Sequence, residues 1–206
     1  MEKIQIKKMK EKDIHQASEI LGKAFATQPS SLAIYKGISD PEQLSNMMST
    51  LFEAMLRRLP GQKFIAKQDD EILGAMRIVK WPQCQISPSQ RVRMLPNLIR
   101  SGGGISAMKK GMEFRGTWSK SDPKKPHYHL DPLGVSPKSQ GKGVGSQMME
   151  YYCDIIDDLG IDAYHETDKP ENVRFYQKFG FEVIKKEIIL DFQNWYMWRS
   201  SNHKAR

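Results

Sequence analysis

The segment Gln140-Gly141-Lys142-Gly143-Val144-Gly145 places three glycines within six residues. Without Cβ atoms, such a stretch lets the backbone approach a ligand and aim several N–H groups at one point. Apolar residues then recur at 144, 148, 152, 155, 156 and 159, one face at helical spacing, and Gly160 is a natural stop. A glycine loop on a helix N-terminus is an anion site, because unpaired N–H groups and the positive end of the dipole converge there. The spacing excludes two common phosphate loops. A dinucleotide fingerprint starting at Gly141 would need glycine where Ser146 stands, and the P-loop pattern is absent.

Other groups could move protons. His127, His129 and Asp131 alternate, so their side chains share one face of a strand. A histidine titrates near neutral pH and suits a base; a solvent-facing strand end explains the alternation equally well. Glu166, on the next expected strand, is a further candidate base. No serine nucleophile elbow appears, since Gly134-Val135-Ser136 lacks its second glycine. Cys84 and Cys153 form no C-x-x-C pair and no familiar ligand spacing, so neither metal nor disulfide is expected. Cys153 falls mid-helix beside the apolar face, a poor place for a nucleophile.

The elements that must position these groups can be read along the chain. Lys3 to Met9 alternates as a first strand, and Asp13 is placed to cap a helix running to Phe25. Thr27 to Ile38 reads as irregular. Asp40-Pro41-Glu42 opens a second helix, whose apolar face includes Met47, Met48 and Met55 and whose end is Pro60-Gly61. Lys63 to Lys67 and Glu71 to Val79 form a hairpin, with Gly74 marking a bulge or close packing. Residues 82–126 form a helical or lid-like excursion, with short helices near Ser89 to Ile99 and Ile105 to Arg115. It is either a lid or a packed layer. His127 to Val135 is a strand closed by Ser136-Pro137; Ile161 to Thr167 is its parallel neighbour across the main helix. A short helix over Glu171 to Phe179 stops at Gly180. Phe181 to Leu190 and Trp195 to Arg199 then pair around Asp191 to Asn194. The expectation is one α/β domain over 1–206, with no repeats and no linker.

The chain has 206 residues, 39% hydrophobic and 27% charged, which fits a globular protein with a sizeable core. No apolar run approaches membrane length and no signal peptide is visible, so a cytoplasmic protein is expected. The net charge of +8 is spread from Lys7 and Lys8 through Arg91, Arg93 and Lys109 to Lys204 and Arg206. No basic stripe interleaves with aromatics, which argues against single-strand nucleic-acid binding.

The pattern Gln-x-x-Gly-x-Gly over 140–145 resembles the pyrophosphate loop of the GNAT superfamily, the acyl-CoA N-acyltransferases. A second motif, HETDKPENVRFYQKFGFEV, is similar to the acceptor-side motif of the same superfamily, through Thr167, Asn172, Phe175, Tyr176, Lys178, Gly180 and Phe181. The closing WYMWR resembles the last strand of a small-molecule branch. The match is close over about the last eighty residues and loose before them.

The resemblance implies a GNAT-type α/β (α+β) fold: a twisted, mixed, mostly antiparallel sheet of about six or seven strands flanked by helices. The fourth and fifth strands would be parallel and splayed. It implies acetyl-CoA as co-substrate and 127–200 as the cofactor-binding and catalytic core. Leu133, Gly134 and Val135 would pair with the pantetheine arm; Gln140, Gly141, Lys142, Gly143, Val144, Gly145 and Ser146 would hold the pyrophosphate; Asn172 would bond the arm. Tyr176 would be the general acid to the departing sulfur, with Glu166 or His129 as candidate bases. The expected reaction is acetyl transfer to a primary amine of a small molecule or peptide N-terminus, by direct attack in a ternary complex. A non-catalytic CoA-binding module and a basic nucleic-acid-binding protein stay open as alternatives, and the protein could be monomer or homodimer. No membrane partner is expected.

Overall fold

A computed structural model describes residues 3–201, so Lys204 and Arg206 of the basic tail lie outside the described residues. The chain runs β1 (Gln5–Lys8), α1 (Ile14–Phe25), α2 (Pro29–Ile34), α3 (Pro41–Arg58), β2 (Gln62–Gln68), β3 (Glu71–Lys80), α4 (Pro88–Arg100), α5 (Gly104–Ser121), β4 (His127–Val135), α6 (Val144–Asp158), β5 (Asp162–Thr167), α7 (Pro170–Gln177), β6 (Glu182–Ile189) and β7 (Phe192–Arg199). The strands form one seven-stranded sheet in the order β1-β2-β3-β4-β5-β7-β6. Only β4 and β5 pair in parallel. They are joined through α6, because a parallel connection needs a crossover.

Two layers cover the sheet. On one face, α6 buries Val144, Met148, Met149, Tyr152 and Ile156 against Phe64, Met76, Ile78, Leu130 and Met197. Each such side chain is worth roughly 1.5–3 kcal/mol in area removed from water. On the other, α1 and α3 pack Ile14, Leu21, Phe52 and Leu56 onto Ile65, Ile72 and Ala75. The α5 helix reaches the same face further along: Phe114 packs against Phe192 in a tilted pair, and the Trp118 indole N–H donates to Asn194 Oδ1 at 3.1 Å.

The excursion is thus split. The far end of α5 is a packed layer, whereas α4 buries no side chain and leaves Val92 and Ile99 exposed. What holds α4 is its start: Ser87 and Gln90 form a reciprocal capping box, with Pro88 in the first turn. No helix among the described residues is long and apolar enough to cross a membrane.

Several local expectations shift. Asp13 does not cap α1; its carboxylate accepts from the Lys10 N–H at 2.8 Å, closing the 3-10 turn Glu11–Asp13. The stretch after α1 contains α2, which starts on Pro29 and whose Ser30 N–H is tied to Asp168 Oδ2 at 2.8 Å. Tertiary contact stabilises a helix too short to stand alone. The last hairpin turns on Leu190 and Asp191, both at positive φ, so β7 begins earlier than expected. Asp40 caps α3 as expected, accepting from the Glu42 N–H at 2.9 Å. A bulge does fall beside Gly74, where the β2–β3 register shifts between Ala66 and Lys67.

One contact sets the spacing of α1 and α3. A Cβ built on Gly22 would lie 2.6 Å from the Ser45 carbonyl oxygen and 2.8 Å from the Ser49 backbone nitrogen. Both are helix backbone, so a side chain must push α3 away. Gly22→Val is expected to lower the unfolding free energy by about 1–3 kcal/mol. Urea denaturation measures this, and an unchanged midpoint contradicts it.

Candidate active site

The site begins where two strands part. β4 and β5 pair at His127↔Asp162, Tyr128↔Ala163 and His129↔Tyr164, and the ladder ends there. Beyond that point β5 continues against β7 through Thr167, and β4 continues against β3 through Val135. On β4 a bulge places Asp131 and Pro132 opposite the single residue Arg77. A bulge bends its strand and increases local twist, which turns β4 away from β5. The backbone of Leu133, Gly134 and Val135 is left with one paired edge, and its other edge borders a cavity.

That cavity has a volume of about 540 Å³ and is open to solvent. Leu133, Gly134 and Val135 line one side, Asn172, Phe175 and Tyr176 the other, and the glycine loop its end. Gly141 and Gly143 have φ of +74° and +82°, a region costly for residues with a Cβ, and no atom lies within 4 Å of where their Cβ would stand. Gly143 is the N-cap of α6, and the first helical bond runs from the Gln147 N–H to the Gly143 carbonyl. The N–H groups of Val144, Gly145 and Ser146 therefore precede the ladder at the positive end of a four-turn helix. Gln140 sits at the corner and donates from Nε2 to the Val135 carbonyl at 3.1 Å, tying loop to strand. Of the residues read from sequence as cofactor-binding, Lys142 is exposed and Val144 has its side chain in the core; neither lines the cavity.

A second, smaller cavity adjoins the first through shared lining residues: Phe25, Gln28, Leu133, Asn172 and Tyr176. It also carries three carboxylates, Asp131, Glu166 and Asp168. The Glu166 side chain is only 3% exposed, and its Oε2 accepts from His129 Nε2 at 2.8 Å. His129 itself stands behind Glu166 and does not line either cavity. His127, one step back on the same face, is fully buried, so the alternating trio is no solvent-facing strand end. Asp131 meets Arg115 Nη2 at 3.0 Å and Arg77 Nη1 at 3.8 Å. Burial alone would raise its pKa, but Arg115, His129 and Arg77 outweigh that and hold it well below the carboxylate range.

Tyr176 borders both cavities and is 8% exposed. Burial, reinforced by Asp168, pushes its phenol well above the ordinary value, so it stays protonated. Its ring packs against that of His165, centroids 3.8 Å apart and tilted by 53°. Burial, with His129 adding repulsion, drives His165 down to about 3, so this imidazole is a neutral packing surface. Asn172 is oriented by donating to Thr167 Oγ1 at 3.0 Å. Cys153 is buried, and its thiol is pushed up to about 11, chiefly by desolvation, which keeps it protonated and unreactive.

Sequence reading missed Arg77, Arg115, Asp168 and Trp118. Arg77 left a signal: two residues from Ala75 and from Val79, it shares their buried face of β3, and the arginine is 2% exposed. It donates from Nε to the Pro60 carbonyl at 2.8 Å and from Nη1 to the Asp131 carbonyl at 2.6 Å, bracing the bulge. The other three reach the site from elements whose packing no local pattern announces.

The comparisons with known proteins agree with this geometry. A model of the acetyltransferase (GNAT) family matches residues 31–181. An uncharacterized N-acetyltransferase of Schizosaccharomyces pombe is 36% identical over 67 residues; the match covers 32% of this chain and only 27% of that protein. A histone acetyltransferase HPA2 and related acetyltransferase from Corynebacterium glutamicum superposes with a TM-score of 0.71 at 19% identity, covering 100% of both chains. A GNAT family acetyltransferase from Brucella melitensis, solved in complex with acetyl-CoA, gives 0.54 at 14% identity over 100% of this chain and 93% of that one. With its fold, splayed strands and glycine loop, the chain belongs to the GNAT family of acetyltransferases.

Proposed function

We propose that this protein transfers an acetyl group from acetyl-CoA to a primary amine of a small molecule or peptide N-terminus, by direct attack in a ternary complex. The observation that carries the reading is Tyr176, which borders the large cavity under the glycine loop and the small acidic cavity behind it.

The large cavity fits the carrier. Its end is a loop where side chains are missing and helix N–H groups are exposed, a match for a diphosphate. Its flank is a strand edge, which pairs with an amide-bearing arm as a strand would. The carrier supplies an activated thioester carbonyl; the chain supplies position and protons. The small cavity fits the acceptor. Asp131 is matched by Arg115 and Arg77, so Glu166 and Asp168 are the carboxylates that favour a cationic ammonium over an anionic group. Glu166 takes the proton that the ammonium must lose before its nitrogen can attack, and the His129 Nε2–H holds that carboxylate in place. As the C–N bond forms and the C–S bond breaks, Tyr176 delivers its hydroxyl proton to the leaving sulfur. A phenol is a weaker acid than a thiol, so transfer accompanies departure rather than preceding it. Buried Cys153, protonated in the core, has no part in this, which supports direct attack over an acyl-enzyme.

A thiol-release screen with acetyl-CoA against polyamines, aminoglycosides, amino acids and peptide N-termini tests the reading. Release with at least one amine is expected; binding of CoA without release for any amine would mark a non-catalytic module. Tyr176→Phe is expected to lower kcat by about 10²–10⁴-fold while the Kd for CoA stays within a few-fold; equal turnover refutes the assignment. Gly143→Leu strains the loop and fills the space beside it, and calorimetry should show CoA binding weakened at least about tenfold. Cys153→Ala should keep turnover within a few-fold of the parent protein, and its abolition would revive the acyl-enzyme route.

A further inference from the structure

Behind Glu166, away from both cavities, four chemically reactive groups converge. They are Cys84, in the turns after β3; Asp122, which caps the end of α5; and His127 and His129 at the start of β4. One ligand atom from each lies within 4.8 Å of all the others. His127 is 0% exposed and the Asp122 side chain 2%.

The outer atoms of these groups are already engaged. His127 Nδ1–H donates to the Lys125 carbonyl at 2.7 Å, and His129 Nε2–H donates to Glu166 Oε2 at 2.8 Å. Asp122 Oδ2 accepts from the Gln85 amide, which is itself fixed by the Ser119 hydroxyl. The inner atoms are not. His127 Nε2, His129 Nδ1 and Asp122 Oδ1 are all buried without a hydrogen-bond partner. His127 Nε2 and Asp122 Oδ1 stand 3.0 Å apart, close enough for an ion pair when the imidazole is protonated, and a metal between them would replace that proton. A buried polar atom left unmatched costs roughly 1–3 kcal/mol. In the neutral form that metal binding requires, both imidazoles offer a lone pair, and these atoms and the Cys84 sulfur lie within 4.8 Å of one another.

We propose that Cys84, Asp122, His127 and His129 bind a zinc ion as a closed, structural site. Two imidazole nitrogens, a thiolate and a carboxylate are a donor set zinc accepts, and tetrahedral zinc places its ligand atoms roughly 3.3–3.8 Å apart. That separation lies inside the limit the four atoms already meet. The charges balance: the dication is matched by one carboxylate and by the thiolate left when Cys84 gives its proton to solvent, with both imidazoles neutral. Each histidine has its other nitrogen fixed by a carbonyl or a carboxylate, the usual outer shell of a metal-bound imidazole. All four positions come from the protein, so the ion takes no substrate. Its effect is positional: metal on His129 Nδ1 keeps the proton on Nε2, aimed at Glu166. That last consequence rests on the acyl-transfer reading; metal binding does not.

The test uses tag-free, full-length protein prepared without chelator. Elemental analysis should find about one zinc per chain. After removal of zinc, titration with Co²⁺ should give the visible bands of a tetrahedral site and a thiolate-to-cobalt charge-transfer band. Cys84→Ser should lose the charge-transfer band and bind zinc at least about tenfold more weakly, while circular dichroism and CoA binding stay those of the parent. Folded protein with no stoichiometric metal and no cobalt spectrum overturns the proposal. So does a spectrum that Cys84→Ser leaves unchanged. Neither result bears on thiol release, so this failure is distinguishable from failure of the acyl-transfer reading.

Discussion

The structure depends on an interruption in a sheet. Backbone N–H and C=O groups are obligatory hydrogen-bonding partners, and an interior strand normally has both edges satisfied by neighbours. Here β4 loses its β5 partner after His129, while β5 turns to β7 and β3 keeps the opposite edge of β4. The exposed edge is an unmet demand at the centre of the molecule, and the proposed carrier arm meets it. Everything nearby serves to keep the gap open. The Asp131-Pro132 bulge bends β4, Arg77 ties the bulge carbonyl of Asp131 to that of Pro60, and Pro137 ends the strand before it can find a partner again.

The buried charges follow from the same geometry. Arg77 at 2% exposure would be a severe penalty alone. Its ion pair with Asp131, shared with Arg115, and its two carbonyl contacts compensate for it. Breaking one partner would leave an unpaired charge in the interior. The cluster therefore acts as a keystone whose members stand or fall together, and it lies directly under the acidic cavity. The same face carries His127 and His129, so one side of one strand links the bulge, the proposed base and the proposed zinc site.

How much of this could be read from the chain depended on how local the physics was. The 127–160 segment was plain, because proline and glycine punctuate it and Val144, Met148, Tyr152 and Ile156 recur at helical spacing. Tyr176 and Asn172 came from resemblance, not from pattern. The α2 helix escaped notice because it is six residues long and held by a contact to Asp168, distant in sequence. The final turn was misplaced because Leu190 takes a positive φ that no glycine or asparagine announces, while Asn194, a turn residue by type, is fully buried beneath Trp118. Cys84 and Asp122 gave no spacing to recognise, since folding alone brings them to the two histidines.

The excursion between β3 and β4 starts and finishes at one point: the Cys84 thiol donates to Asp122 Oδ2 at 3.2 Å, across a sequence separation of 38. It is a loop tied off at its neck. The chain entropy lost in closing such a loop grows only with the logarithm of its length, about 0.6 kcal/mol for each doubling. The α4 stretch above the neck can thus lengthen or shorten at small thermodynamic cost. The freedom belongs to α4, which buries no side chain, while Phe114, Arg115 and Trp118 hold the end of α5 on the sheet beside the small cavity.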